Sequence, residues 1–205
     1  MVGVGGKAHG PALVLPLNHG VEAMLKKWFG KEENEEDFIT DYTLKMMKKG
    51  FLVDYDLETW EVIEYNTYDY DGYITQEWAL QNGGDVRFLE RGEEDGKAEC
   101  TLTRRIEVQA IDEAVVDAIV QNDEPPELIH YEGRAYQGTE SGGGHCKEGG
   151  QGEGRPFVSW SFAGPDDRVL FLSQWGERDI AAFEGTYAEE YQFTDILPGS
   201  AGQDG

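Results

Sequence analysis

The chain reads "LVDYDLETW" from Leu52 to Trp60 and "LIHYEGRAY" from Leu128 to Tyr136. Laid together without a gap, the two stretches agree in kind at Leu52/Leu128, Val53/Ile129, Tyr55/Tyr131, Asp56/Glu132 and Trp60/Tyr136. Further along, "EWAL" around Trp78 has a counterpart in "SWSF" around Trp160. "VRFLERG" from Val86 shares a V-x-F-L core with "VLFLSQW" from Val169. The spacing between counterparts grows only across one intervening loop, as expected of a duplicated β unit whose length changes are confined to a turn.

The segments around these matches read as strands. "FLVDYD", "TWEVIEYNTYDY", "YITQEWALQN", "DVRFLERGE" and "AECTLTRRIEVQAI" are rich in β-branched and aromatic residues with rough alternation, and "DG", "NGG" and "EEDG" turn signals separate them. The second half runs the same way through "LIHYEG", "RAYQGTES", a glycine-rich loop, "PFVSWSFAG", "RVLFLSQWG" and "DIAAFEGTYA". Between the halves, Ala114, Val115, Ala118 and Ile119 predict a short helix that Pro125 and Pro126 end. A second short helix is predicted over Asp37 to Lys49, with lysines at its C-terminal end and Gly50 as its stop.

The expected fold is therefore mainly β: two similar antiparallel meanders, pseudo-duplicated, forming a sandwich or a partly open barrel, with a short N-terminal and a short linking helix. The organisation reads as a disordered leader over 1–23, an amphipathic segment over 24–49, a first β repeat over 50–111, and a helix and linker over 112–127. A second repeat over 128–198 and a tail over 199–205 complete it. The leader is glycine-rich and without period, and "MLKKWFGKEENEEDF" from Met24 reads like the natural beginning of a bacterial protein. Leu25, Trp28 and Phe29 would form a small apolar face beside Lys26, Lys27 and Lys31, suited to a peripheral membrane contact or to packing on the domain itself.

Composition narrows the function. The 205 residues carry 41 acidic against 17 basic side chains, a net charge of -24, with 39% hydrophobic and 12% aromatic content. A globular core is expected, and the negative field opposes nucleic acid and anionic lipid. Two cysteines, Cys100 and Cys146, outside any CxxC pair, fit a reducing, cytoplasmic setting. No apolar run is long enough for an integral membrane segment.

The run "GFLVDYDLETWEVIEYNTYDYDGYITQEWALQNGGDVRFLERGEEDG" resembles the bacterial domain-of-unknown-function family four-one-seven-eight, whose pattern is a glycine, a "ydg..w.V" strand, then "eW.L" and a "fLe.e" strand. "IHYEGRAYQG" through "GERDIAAFEG" looks like the same pattern again, so the likeness covers most of Gly50 to Pro198. The resemblance implies an accessory protein encoded beside polyamine-type enzymes, small membrane proteins and phage-shock-like coiled coils. It carries over no catalytic residue, and association of this kind fixes no mechanism.

The residues themselves offer no recognised catalytic set. No GxSxG elbow surrounds a serine, and the histidines are His9 and His19 in the leader, His130 on a strand, and His145. "SGGGHCKEGGQGEG" (Ser141 to Gly154) lacks the GxxxxGK[ST] of a phosphate loop and is expected to be a long flexible hairpin loop. His145 and Cys146 supply at most two metal ligands, and no calcium loop spacing is present. Neither metal nor cofactor is expected.

Carboxylates among aromatic rings suit an amine through charge and cation–π contact, which nominates Asp54, Tyr55, Asp56, Trp60, Asp69, Asp71, Tyr131, Glu132 and Tyr136 as a binding set. Acids at hairpin turns are equally ordinary in any soluble β protein. Three readings follow, in order. The first is a non-enzymatic β module that binds a protein partner. The second is a polyamine or small-cation sensor, which needs an acidic pocket lined with Tyr and Trp between the halves. The third is an enzyme with an unrecognised site, which needs convergent titratable groups in a cleft.

Overall fold

The computed structural model describes residues 41–112 and 114–199. The leader, the Met24 start, His9 and His19, the face of Leu25, Trp28 and Phe29, and the tail from 200 onward lie outside the described residues.

Among the described residues, alternating side chains and short turns give eleven antiparallel strands: β1 (Phe51–Tyr55), β2 (Glu58–Tyr70), β3 (Tyr73–Asn82), β4 (Asp85–Glu94), β5 (Lys97–Ile106), β6 (Leu128–Tyr131), β7 (Arg134–Glu148), β8 (Arg155–Ala163), β9 (Arg168–Gly176), β10 (Asp179–Ala188) and β11 (Thr194–Pro198). The helix α1 (Ala114–Asn122) links the halves. The sheet order is β11-β1-β2-β3-β4-β5-β10-β9-β8-β7-β6, and a further β2–β7 pairing joins its two ends. Eight strands, β2 to β5 and β7 to β10, thus pair round in a ring, and β1, β6 and β11 lie outside it. Of the two arrangements left open above, the molecule takes the barrel.

The two meanders, β1–β5 and β6–β10, meet like against like. The second strand of each forms one seam, with Asn66↔Glu148 to Asp69↔His145 in register. The fifth strand of each forms the other, from Ala182↔Ile106 to Ala188↔Cys100. Both second strands are long because they serve twice: β2 pairs first with β1 and then with β7, and β7 pairs first with β6 and then with β2. Each bends where the partner changes. Register with the third strand slips at Ile63 in β2 and at Thr139 in β7, the same distance beyond Val53 and Ile129, a bulge placed alike in both halves. The segments after the fifth strands cross over: β11 pairs with β1, and Ile111 bridges to Tyr131 of β6.

The apolar cores lie on the outside of the ring. In the first half Val53, Trp60, Val62, Trp78, Leu80 and Leu89 pack beneath Leu44, Met47, Phe193 and Ile196. In the second, Ile129, Tyr136, Trp160, Phe162, Leu170 and Leu172 pack beneath Ile111, Val115 and Ile119. Counterparts fill counterpart positions, and burying aromatics of this size is the dominant favourable term in each half. Beside the second core, buried Glu184 accepts the Tyr136 hydroxyl at 3.1 Å and pairs with Arg168 and Arg104.

Two expectations are corrected. The helix expected over Asp37 to Lys49 is, among the described residues from 41, a single 3₁₀ turn at Leu44–Met46 flanked by extended Thr43 and Met47. Leu44 and Met47 are both 1% exposed. A tight turn eclipses side chains three apart, which lets both plug the core. It also leaves the Met47 carbonyl to accept the Trp78 indole N–H at 3.0 Å. The loop expected over Ser141 to Gly154 is strand as far as Glu148; only 149–154 turn. Its glycines answer to packing: a Cβ at Gly144 would run into the Asp69 backbone across the seam, and Gly150 lies against the Tyr65 ring.

Candidate functional site

With both cores outside the ring, the other face of each strand turns inward on polar ground. Tyr68 and Tyr70 of β2, Tyr73, Thr75 and Glu77 of β3, Phe88, Glu90 and Gly92 of β4, and Glu99, Thr101 and Thr103 of β5 line one side of a lumen of about 530 Å³. Thr139 to Gly142 of β7, Ser159 and Ser161 of β8, Phe171, Ser173 and Trp175 of β9, and Phe183 and Tyr187 of β10 line the other. The two-residue period of the pleat explains the selection: Glu77 points in because Trp78 points out, and Glu90 points in because Leu89 points out. Among the described residues no Lys, Arg or His lines the lumen.

Glu77 and Glu90 are direct partners across β3 and β4, which sets their side chains side by side. Oε1 of Glu77 accepts the Tyr68 hydroxyl at 2.9 Å and the Asn66 amide at 3.3 Å. Oε1 of Glu90 accepts the Thr75 hydroxyl at 2.7 Å. Among the described residues Oε2 of neither carboxyl accepts a hydrogen bond, and what accessible surface the two carboxyls keep faces the lumen. Burial, and then the charge of Glu90, push the Glu77 carboxyl up to about 7. Burial raises Glu90 as well, and holds the Tyr68 and Tyr70 phenols protonated. Aromatic edges close the wall: Phe157 meets Tyr68 and Tyr70 edge-on at 5.3 and 5.2 Å, and Phe88 meets Phe183 at 5.1 Å.

The walls differ between the halves. Trp78 corresponds to Trp160 and Leu89 to Leu172, so the positions of Glu77 and Glu90 correspond to Ser159 and Ser173, themselves partners across β8 and β9. One half presents two carboxyls where the other presents two hydroxyls.

The nine residues nominated from sequence fall in the β1–β2 hairpin, the β2–β3 turn and the β6–β7 hairpin, and none lines the lumen. Asp56, Asp71 and Glu132 hold left-handed φ values of 51°, 53° and 49° at turns, where Asp serves the turn geometry. Asp54 accepts the Thr59 hydroxyl at 2.6 Å and Asp69 accepts the Gly72 N–H at 2.8 Å. Tyr55 stacks on Phe193, and the Trp60 indole donates to the Tyr55 carbonyl. Tyr131 and Tyr136 belong to the second core, and Glu132 pairs with Arg104 and Arg134. His145 is exposed while Cys146 is buried, because neighbours on a strand face opposite ways. Glu77 and Glu90 escaped sequence reasoning, although each sits beside a matched core residue in "EWAL" and "FLERG". A polar residue alternating with a buried aromatic was the signal.

The fold and its cavity define an antiparallel β-barrel protein with an acidic, aromatic-walled lumen. Residues 48–190 match the family model described as Domain of unknown function (DUF4178), and the chain belongs to that family. It is similar to an "Uncharacterized protein" of Aquifex aeolicus (strain VF5), 30% identical over 175 residues that span 85% of this chain and 96% of that one. No solved structure matches it.

Proposed function

We propose that the protein is a non-enzymatic binding module whose barrel lumen takes a small organic cation, with polyamines the class of best fit. One observation carries this reading: Glu77 and Glu90 stand side by side in a lumen of tyrosine, tryptophan and phenylalanine where, among the described residues, no basic side chain neutralises them. That is the acidic pocket between the halves which the cation reading required, so we place it ahead of a protein-binding surface. An accessory role beside polyamine-type enzymes, implied by the family resemblance, accords with it. A carboxyl lifted to about 7 would also suit general acid–base chemistry; we place that reading second, because among the described residues no basic side chain lines the lumen to work beside it.

The test is calorimetric titration with spermidine at low and moderate salt, on the wild type and on the double variant Glu77→Gln/Glu90→Gln. The expected result is saturable binding that survives moderate salt and falls at least tenfold in the double variant, with an unchanged circular-dichroism spectrum. Heat that moderate salt abolishes, or that the double variant retains, would mean diffuse surface attraction and end the proposal.

A further inference from the structure

Taking the lumen as a cation site, we propose that the Glu77–Glu90 row exchanges a proton for its ligand: it holds one proton when the lumen is empty and releases it when a primary or secondary ammonium enters. Two carboxyls paired across adjacent strands resist ionising together without a cation between them, and among the described residues no basic side chain lines the lumen to supply one. The other ionisable groups around them are mostly neutral or negative: Glu64, Tyr68 and Tyr70 on β2, Tyr73 on β3, Glu94 on β4, Glu99 on β5, Glu140 and Cys146 on β7, and Tyr187 on β10. The cation felt by Cys146, Arg155 of β8, is paired with Asp179 at 2.7 Å and stacks over Trp175. Burial and mutual repulsion accordingly lift Glu77 to about 7, within reach of an ordinary change of pH.

An entering ammonium reverses the balance. It supplies the missing positive charge, the carboxyl O–H bond breaks, and the proton passes to buffer while the ammonium keeps all of its own. The two unpartnered Oε2 atoms then accept N–H bonds from the ligand. Around the row stand acceptors and hydroxyls, Asn66, Tyr68, Thr75 and Thr101, which suits a cation bearing N–H groups over one sheathed in methyls. The hydroxyl wall of Ser159 and Ser173 faces the remainder of the ligand.

Spermidine provides the probe: its primary amines stay protonated near neutrality and its secondary amine can only take up a proton on binding, so any proton released must come from the protein. The full chain is titrated in two buffers of different ionisation enthalpy, about one unit below and about one unit above the Glu77 pKa of about 7. The dependence of heat on buffer counts the protons. Release of nearly one proton at the lower pH and nearly none at the higher supports exchange, with affinity at least several-fold weaker at the lower pH. Hexamethonium, whose ends are quaternary, should bind at least tenfold more weakly. Glu90→Gln should lower proton release while its melting curve reports an intact fold. Saturable binding without proton release at either pH, or hexamethonium binding as tightly as spermidine, overturns the exchange and leaves the cation site standing. Absence of saturable binding overturns both.

Discussion

At Glu77 burial and the neighbouring Glu90 oppose the carboxylate, and the hydrogen bonds from Asn66 and Tyr68 offset them only in part. A carboxyl raised in the folded state is protonated in both folded and unfolded chains at low pH. As pH climbs from the unfolded value through the folded one, the unfolded chain sheds its proton first, and stability is lost over that window. With the folded value at about 7, the loss is about 3 kcal/mol once the pH is well above it. Glu77→Gln removes the penalty. Urea denaturation from mildly acid to mildly alkaline pH should show the variant gaining on the wild type as pH rises; a constant difference would refute the raised pKa. The thiols follow the same physics: burial pushes Cys100 and Cys146 up to about 11, which disfavours the thiolate at both.

Strands assemble here under one recurring demand, that the halves approach closely at two seams. A Cβ at Gly185 would strike the Leu102 carbonyl and Thr103 Cα of β5, as one at Gly144 would strike Asp69 of β2. Gly185→Val should therefore cost about 3 kcal/mol or more in urea denaturation, whereas Gly84→Ala, which meets nothing within 4 Å, should lie within about 0.5 kcal/mol of wild type. Equal effects would show that the seam is not tight. The same demand explains which elements could be read from sequence. Strands, hairpin turns and the linking helix rest on periodicity and turn residues a few positions apart, and they emerged close to their observed bounds. "SGGGHCKE" looked like a loop because glycine is locally a breaker; its conformation is imposed by β2, distant in sequence. The lumen was hidden for a related reason. Which face of β3 and β4 turns inward depends on the β2–β7 and β5–β10 pairings, and no local pattern reports those.

For the whole molecule, a net charge of -24 sets every exposed ion pair against a larger self-repulsion. Raising sodium chloride from about 0.01 M to about 1 M shortens the screening length from about 30 Å to about 3 Å, and the melting temperature should rise. A fall would mean that paired charges such as Arg91 with Glu93 and Glu190 outweigh the repulsion. The ring itself has the form of a two-fold dimer written in one chain: second strand against second, fifth against fifth, trailing segments exchanged. Two identical chains so arranged would be obliged to show the same side chains on both walls, with a paired glutamate row on each, and an unsymmetrical guest would lie either way round with equal ease. Joining the halves lifts that obligation. With the Glu77–Glu90 row on one wall and Ser159 and Ser173 at the matching places on the other, the two walls are unlike, and an unsymmetrical guest meets a different surface in each of its two directions.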